Sequence, residues 1–141
     1  MKYVLDSSVA FKTVVAERDS SKAIQLLEDF ALLQNELIAP DVFPYELAHA
    51  LTRAERQQRI VPGEASILWA TIMGSSPHLI HDHALIGRGI EIASHFQIGV
   101  YDCVYVALAE RENCELVTAD AKLVLALGKQ FPFIVELSTF P

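Results

Sequence analysis

Two hydrophobic rhythms alternate along the chain. Short aliphatic runs are separated by longer stretches whose apolar residues recur at helical spacing. The runs predict strands at Lys2–Leu5 and at residues 36–39, 79–81, 115–118 and 133–136. Between them, Asp6-Ser7-Ser8 opens a helix through VAFKTVVAE, and Ser20 or Ser21 caps the next, KAIQLLEDFALLQ. Asp41 caps a long helix over 42–58 with Phe43, Leu47, Ala50, Leu51 and Ala54 on its core face. Pro62 suits the first turn before ASILWATIM. Helices follow at 83–96, 101–112 and 120–127, the last ended by Gly128. Strands separated by helices predict an α/β fold with a mainly parallel sheet and right-handed crossovers. The strands are uniformly apolar rather than alternating, as suits a sheet covered on both faces. No repeat, linker or low-complexity tract divides the chain, so its 141 residues read as one domain, 1–141.

Composition narrows the function. The hydrophobic fraction is 52% and the mean hydropathy +0.29, high for a soluble monomer, which points to a buried protein–protein surface. The net charge of −7 argues against a general nucleic-acid binder, which is normally basic. It argues less against metal-dependent cleavage, where carboxylates hold cations and a few basic residues suffice. Cys103 and Cys114 form no CxxC and read as reduced core thiols of a cytosolic protein. MKYVLDSS meets an acid too early for a signal peptide, and no apolar run approaches a membrane span.

The acids then become the question. Asp102 is the only acid between Gln97 and Glu110, on a helix that is apolar almost all round. Such a helix is buried, and a carboxylate on it must be neutralised, capped, paired or bound to a metal. Asp6 ends the first strand, Asp120 follows the strand ending at Thr118, and Glu46 sits at the edge of a helix's apolar face. Ligands bind beyond the carboxyl ends of parallel strands, where these acids could converge. Taken singly, the three aspartates also suit helix caps, and Glu46 a solvated position. Taken together, four like charges at one sheet edge call for protonation or a cation, and oxygen-only ligands suit Mg²⁺ or Mn²⁺. Lys12, Arg53, Arg56 and Arg88 are candidate phosphate contacts, against the plainer reading of solvated surface charge. In His81-Asp82-His83, Asp82 reads as a cap rather than part of a metal clip. His49 lies near the acids on its helix edge, and His78 and His95 carry no signal.

Strand–Asp6-Ser7-Ser8, Glu46 on the third helix, YDCVYVALAE around Asp102 and LVTAD ending in Asp120 together resemble the PIN-domain ribonucleases, most closely the VapC-type toxins of prokaryotic toxin–antitoxin pairs. The resemblance spans nearly the whole chain. It implies a three-layer α/β/α fold with a five-stranded parallel sheet of order 3-2-1-4-5. It implies a metal-binding quartet of Asp6, Glu46, Asp102 and Asp120, with Ser8 and Thr118 as supporting hydroxyls. It further implies Mg²⁺- or Mn²⁺-dependent RNA hydrolysis leaving 3′-hydroxyl and 5′-phosphate ends, a small antitoxin partner, a homodimer and a cytoplasmic location. Two other readings compete. One is a catalytically silent PIN-like binding module. The other is a phosphoacceptor receiver domain, which wants paired acids after the first strand and a Lys after the last; Asp6 is single and FIVELS has no Lys.

Overall fold

The computed structural model describes all 141 residues, Met1–Pro141. In chain order the elements are β1 (Lys2–Leu5), α1 (Ser7–Lys12), α2 (Ser20–Ala31), β2 (Glu36–Pro40), α3 (Phe43–Arg56), α4 (Glu64–Met73), β3 (His78–Ile80), α5 (His83–Phe96), α6 (Val100–Glu112), β4 (Glu115–Thr118), α7 (Ala121–Leu127) and β5 (Ile134–Glu136). A 3₁₀ turn, Leu137–Thr139, follows.

The five strands form one parallel sheet of order β3-β2-β1-β4-β5. Helices cover both faces, as the apolar strands require: Val4, Leu5, Leu37, Ala39, Leu116 and Val117 are fully buried. The chain winds outward in one direction from β1 through β2 to β3, and in the other through β4 to β5. The reversal opens a crevice beyond the carboxyl ends of β1 and β4, the usual ligand position in such sheets. Val4 pairs with Leu116 and Leu5 with Val117, so Asp6 and Thr118 leave the sheet side by side.

Helix α6 packs across β1, β2 and β4 and is buried without a break from Cys103 to Ala109. Helix α5 lies against it, and the close approach is made at Gly89. A Cβ there would stand 3.0 Å from Val104 Cγ2 and 3.3 Å from the Val104 backbone nitrogen.

The helix starts depart most from expectation. Ser20 does not cap α2: Asp19 takes that position in the left-handed region (φ 64°), and the Ser20 hydroxyl instead accepts the Glu17 N–H at 2.9 Å. Ser21 lies inside the helix. Asp41 does not cap α3 either; Val42 precedes the helix, and the Asp41 carboxylate is paired with the His81 ring, 40 residues away in sequence. Pro62 stays outside α4. Gly63 (φ 86°) stands at its start, and Glu55 Oε1, reaching from α3, accepts the N–H groups of Gly63 (2.9 Å) and Ala65 (3.1 Å). The α4 amides are satisfied from another helix and Asp41 is drawn to a distant ring, so local patterning does not reveal either. Helix α1 stops at Lys12, where the Thr13 hydroxyl bonds back to the Ala10 carbonyl at 2.6 Å. Strand β2 runs one residue past the expected 36–39, with Pro40 opposite Ile80. Of the cysteines, Cys103 is in the core while Cys114 is only partly buried, and both are free.

Candidate active site at the carboxyl edge of the sheet

Asp6 is the centre of the site. It occupies the position before α1, yet its carboxylate caps nothing. It is 5% exposed, and its Oδ2 accepts hydrogen bonds from Thr118 Oγ1 (2.6 Å) and Ser8 Oγ (2.8 Å). Each hydroxyl is itself fixed by a backbone amide: Ala119 N–H donates to Ser8 Oγ at 3.0 Å, and Asp120 N–H to Thr118 Oγ1 at 3.1 Å. One network therefore ties the end of β1 to the end of β4. Both supporting hydroxyls lie where the family resemblance put them. Burial pushes the Asp6 carboxyl up, the two hydroxyls pull it down, and the Asp120 charge raises it again.

Asp120 caps α7: its Oδ1 accepts from the Lys122 (2.9 Å) and Leu123 (3.4 Å) amides. The cap and the site are not exclusive, since that bonding engages one carboxylate oxygen and orients the group. Asp102 is different. Gly99 precedes α6, and no side chain caps the helix. Asp102 sits in the first turn, stabilised by the helix dipole. Burial first, then the charges of Asp6 and Asp120, push its carboxyl up to about 6. Glu46, on the first turn of α3, is pushed up to about 7 by burial and by Asp6, against a lowering by Tyr105, with Asp102 raising it further. Glu46 and Asp102 are thus each raised by two of the other acids, and Asp6 is common to both. Of the four acids expected at this edge, Asp6 and Asp120 are joined through Thr118, and Glu46 and Asp102 are half-buried within range of the Asp6 charge.

Two buried oxygens here lack a hydrogen-bond partner: Glu46 Oε1 and the Tyr105 hydroxyl. Burial, then Asp6 and Glu46, push the Tyr105 phenol far above its usual range. Sequence reading counted Tyr105 only as an apolar neighbour of Asp102. The available signal was its i+3 spacing, which puts the two on one helix face. No three His, Cys, Asp or Glu side chains stand in ready coordination geometry. What fits a hard divalent cation is the chemistry: oxygen donors alone, like charges raising one another, and an orphaned Glu46 oxygen. Burial and the Asp102 charge lift the Cys103 thiol to about 11, which keeps it a packing group.

The four basic residues separate into two kinds. Lys12 is engaged by Glu17 (3.4 Å) and the Arg18 carbonyl (2.9 Å). Arg88 holds Glu110 (2.8 and 3.1 Å) and Glu91 (3.0 Å). Glu110 lies eight residues along α6 from Asp102, about 12 Å at helical rise. Arg53 and Arg56 are exposed on α3 and in no ion pair. Asp82 caps α5 through the Ala84 amide (2.9 Å), as expected, and also binds Arg111 at 2.6 Å.

Comparison with known proteins agrees with this picture. The chain is 29% identical over 137 residues to a Pyrobaculum aerophilum protein named Ribonuclease VapC3, covering 96% of this chain and 98% of that one. A crystallised Pyrobaculum aerophilum protein superposes with a TM-score of 0.71 at 22% identity, covering 99% of this chain and 94% of the other. A Klebsiella pneumoniae chain solved in a toxin-antitoxin complex superposes with a TM-score of 0.61 at 15% identity, covering 96% and 97%. The two superpositions establish the fold. The family model for the PIN domain matches residues 3–126, most of the chain and every element from β1 to α7, and the chain accordingly belongs to the PIN domain family.

Proposed function

We propose that this protein is a Mg²⁺- or Mn²⁺-dependent ribonuclease and the toxin of a toxin–antitoxin pair. The observation that carries the reading is the hydrogen-bonded junction of Asp6, Ser8, Thr118 and Asp120 at the reversal point of the sheet, with Glu46 and Asp102 half-buried beside it. It is supported by full-length likeness to a ribonuclease and by a fold shared with a toxin–antitoxin complex. The receiver-domain reading loses its ground: that fold reverses between different strands, in order 2-1-3-4-5.

Asp6, Asp102 and Asp120 would hold the ion, with Ser8 and Thr118 fixing the Asp6 carboxylate. A divalent ion bound there supplies an activated water and neutralises charge developing on phosphate. Glu46, with a carboxyl near neutrality and a free buried Oε1, holds the attacking water and takes up its proton. A small antitoxin covers the acids in the resting complex, and an Arg from it suits an acidic pocket. The hydrophobic excess serves that contact and a homodimer, and the assembly acts in the cytoplasm.

The test is cleavage of defined single-stranded RNAs with Mg²⁺, with Mn²⁺ and with chelator, by the parent and by Asp102→Asn. Cleavage is expected only with metal and only by the parent. Undiminished cleavage by an Asp102→Asn protein with the parent's circular-dichroism spectrum sinks the reading. Absence of cleavage with intact antitoxin binding supports the silent module instead.

A further inference from the structure

A cavity of about 740 Å³ opens beside the acids, lined by Ser7, Asp41, Tyr45, Glu46, His49 and Tyr101. Two of its walls are aromatic rings left in water: Tyr45 is 77% exposed and Tyr101 61%. They are sequence neighbours of Glu46 and Asp102, so their backbones are held as firmly as the site itself. From Tyr45 the outer face of α3 continues through His49 and Arg53 at four-residue steps, with Arg56 three further on. These positions fall within one stripe of the helix. Its two arginines are the candidate phosphate contacts that no carboxylate neutralises.

We propose that this stripe and Tyr101 form a track for single-stranded RNA. Nucleobases stack on Tyr45 and Tyr101, and the backbone runs along α3 with phosphates on Arg53 and Arg56. The assignment rests on the nuclease reading above and names the side chains of this chain that hold the strand. Stacking needs a free base face, which an A-form duplex does not offer. Aromatic stacking combined with a few cations is the usual means of holding single strands without reading their sequence. A protein partner is less well matched. Protein interfaces centre on contiguous apolar surface with charge at the rim, whereas these rings share the cavity with Val42 alone among aliphatic side chains, beside two carboxylates and an imidazole, and two guanidinium groups follow along α3. The placement also solves a problem of charge. An acidic chain must bring a polyanion to an acidic centre, and the free cations of α3 lie where the flanking backbone would pass.

The experiment measures binding of a fluorescein-labelled, mixed-sequence single-stranded RNA by anisotropy in Mg²⁺ buffer. Asp102→Asn protein is used so that the probe survives, with the matching duplex as control. The single strand is expected to bind more tightly than the duplex. Adding Tyr45→Ala or Tyr101→Ala weakens single-strand binding about tenfold each, and Tyr→Phe at either position restores it. In the cleaving parent the same Ala changes raise KM about tenfold and leave kcat within about twofold. Unchanged single-strand binding in both Ala variants overturns the track. So does unchanged binding together with an altered sedimentation coefficient, which assigns the tyrosines to a protein contact. Cleavage by the parent with unaltered KM in the variants overturns the track alone. No cleavage by the parent, with tyrosine-dependent binding of the single strand, overturns the nuclease reading alone.

Discussion

At the scale of single residues, the site trades stability for chemistry. Asp102 and Glu46 have carboxyls raised to about 6 and about 7 from ordinary values of 3.8 and 4.5. A carboxyl raised on folding binds its proton more tightly in the native state. Its stabilising contribution is complete below the unfolded value and is lost as pH rises through the folded one. Asp102→Asn is therefore expected to melt like the parent near pH 4 and several degrees above it at pH 7 in chelator, read by thermal denaturation across pH. Mg²⁺ should raise the parent's Tm and not the variant's, because only the parent keeps the full set of acids. An equal shift in both would sever the ion from Asp102. Thr118 makes the opposite case. It is fully buried, donates to Asp6 and accepts from the Asp120 amide. Thr118→Val keeps the shape, orphans the Asp120 amide and leaves Asp6 Oδ2 with Ser8 as its one remaining donor. It is expected to cost about 1–3 kcal/mol of stability and about 10–100-fold in cleavage. Thr118→Ser should recover most of both, measured by urea unfolding and by initial rates.

At the scale of elements, α6 is a mount whose position depends on α5. Gly89 allows the two helices to meet at Val104, two residues from Asp102. A larger residue there gains helix propensity but meets backbone as well as a side chain, and the backbone cannot turn away. Gly89→Val should destabilise by about 1–3 kcal/mol through overpacking. The variant's cleavage should also fall at temperatures where it remains folded, since Asp102 shifts with α6. A variant as stable and active as the parent would show that α6 is not held from this side. Helix α4 illustrates the same dependence on a neighbour, because its first amides are satisfied by Glu55 of α3.

For the whole molecule, the acidic balance of −7 and the cleavage of a polyanion are reconciled by where cations are free. Lys12 and Arg88 are held by carboxylates, while Arg53 and Arg56 are not. If two phosphates are neutralised, the slope of log K against log salt for single-stranded RNA is about −1.4. Titration over a salt series checks this. Replacing both arginines by Gln should bring the slope close to zero, and a slope near −3 in the parent would mean that Lys12 and Arg88 leave their carboxylates to join in.

The alternation of apolar runs with helical periodicity was enough to place every strand within one residue and every helix in order. It was enough because a sheet covered on both faces must be apolar throughout, and that requirement is written locally. The four acids stood out only as a set: singly each aspartate suits a helix cap and Glu46 a solvated position, and it is their joint placement at one sheet edge that local rules do not explain. The helix starts at Asp41 and Pro62 were misread because the Asp41–His81 pair and the reach of Glu55 to the Gly63 and Ala65 amides are set by folding, while Ser20 is diverted by a local bond from the Glu17 amide. The tertiary structure alone decided which aspartates cap a helix: Asp120 does, Asp6 and Asp102 do not. It alone separated paired cations from free ones and set Tyr45, Tyr101 and Tyr105 around the acids. Charge coupling and burial depend on distance in space. Asp6 and Thr118, 112 residues apart in the chain, become hydrogen-bonded neighbours only when β1 lies against β4.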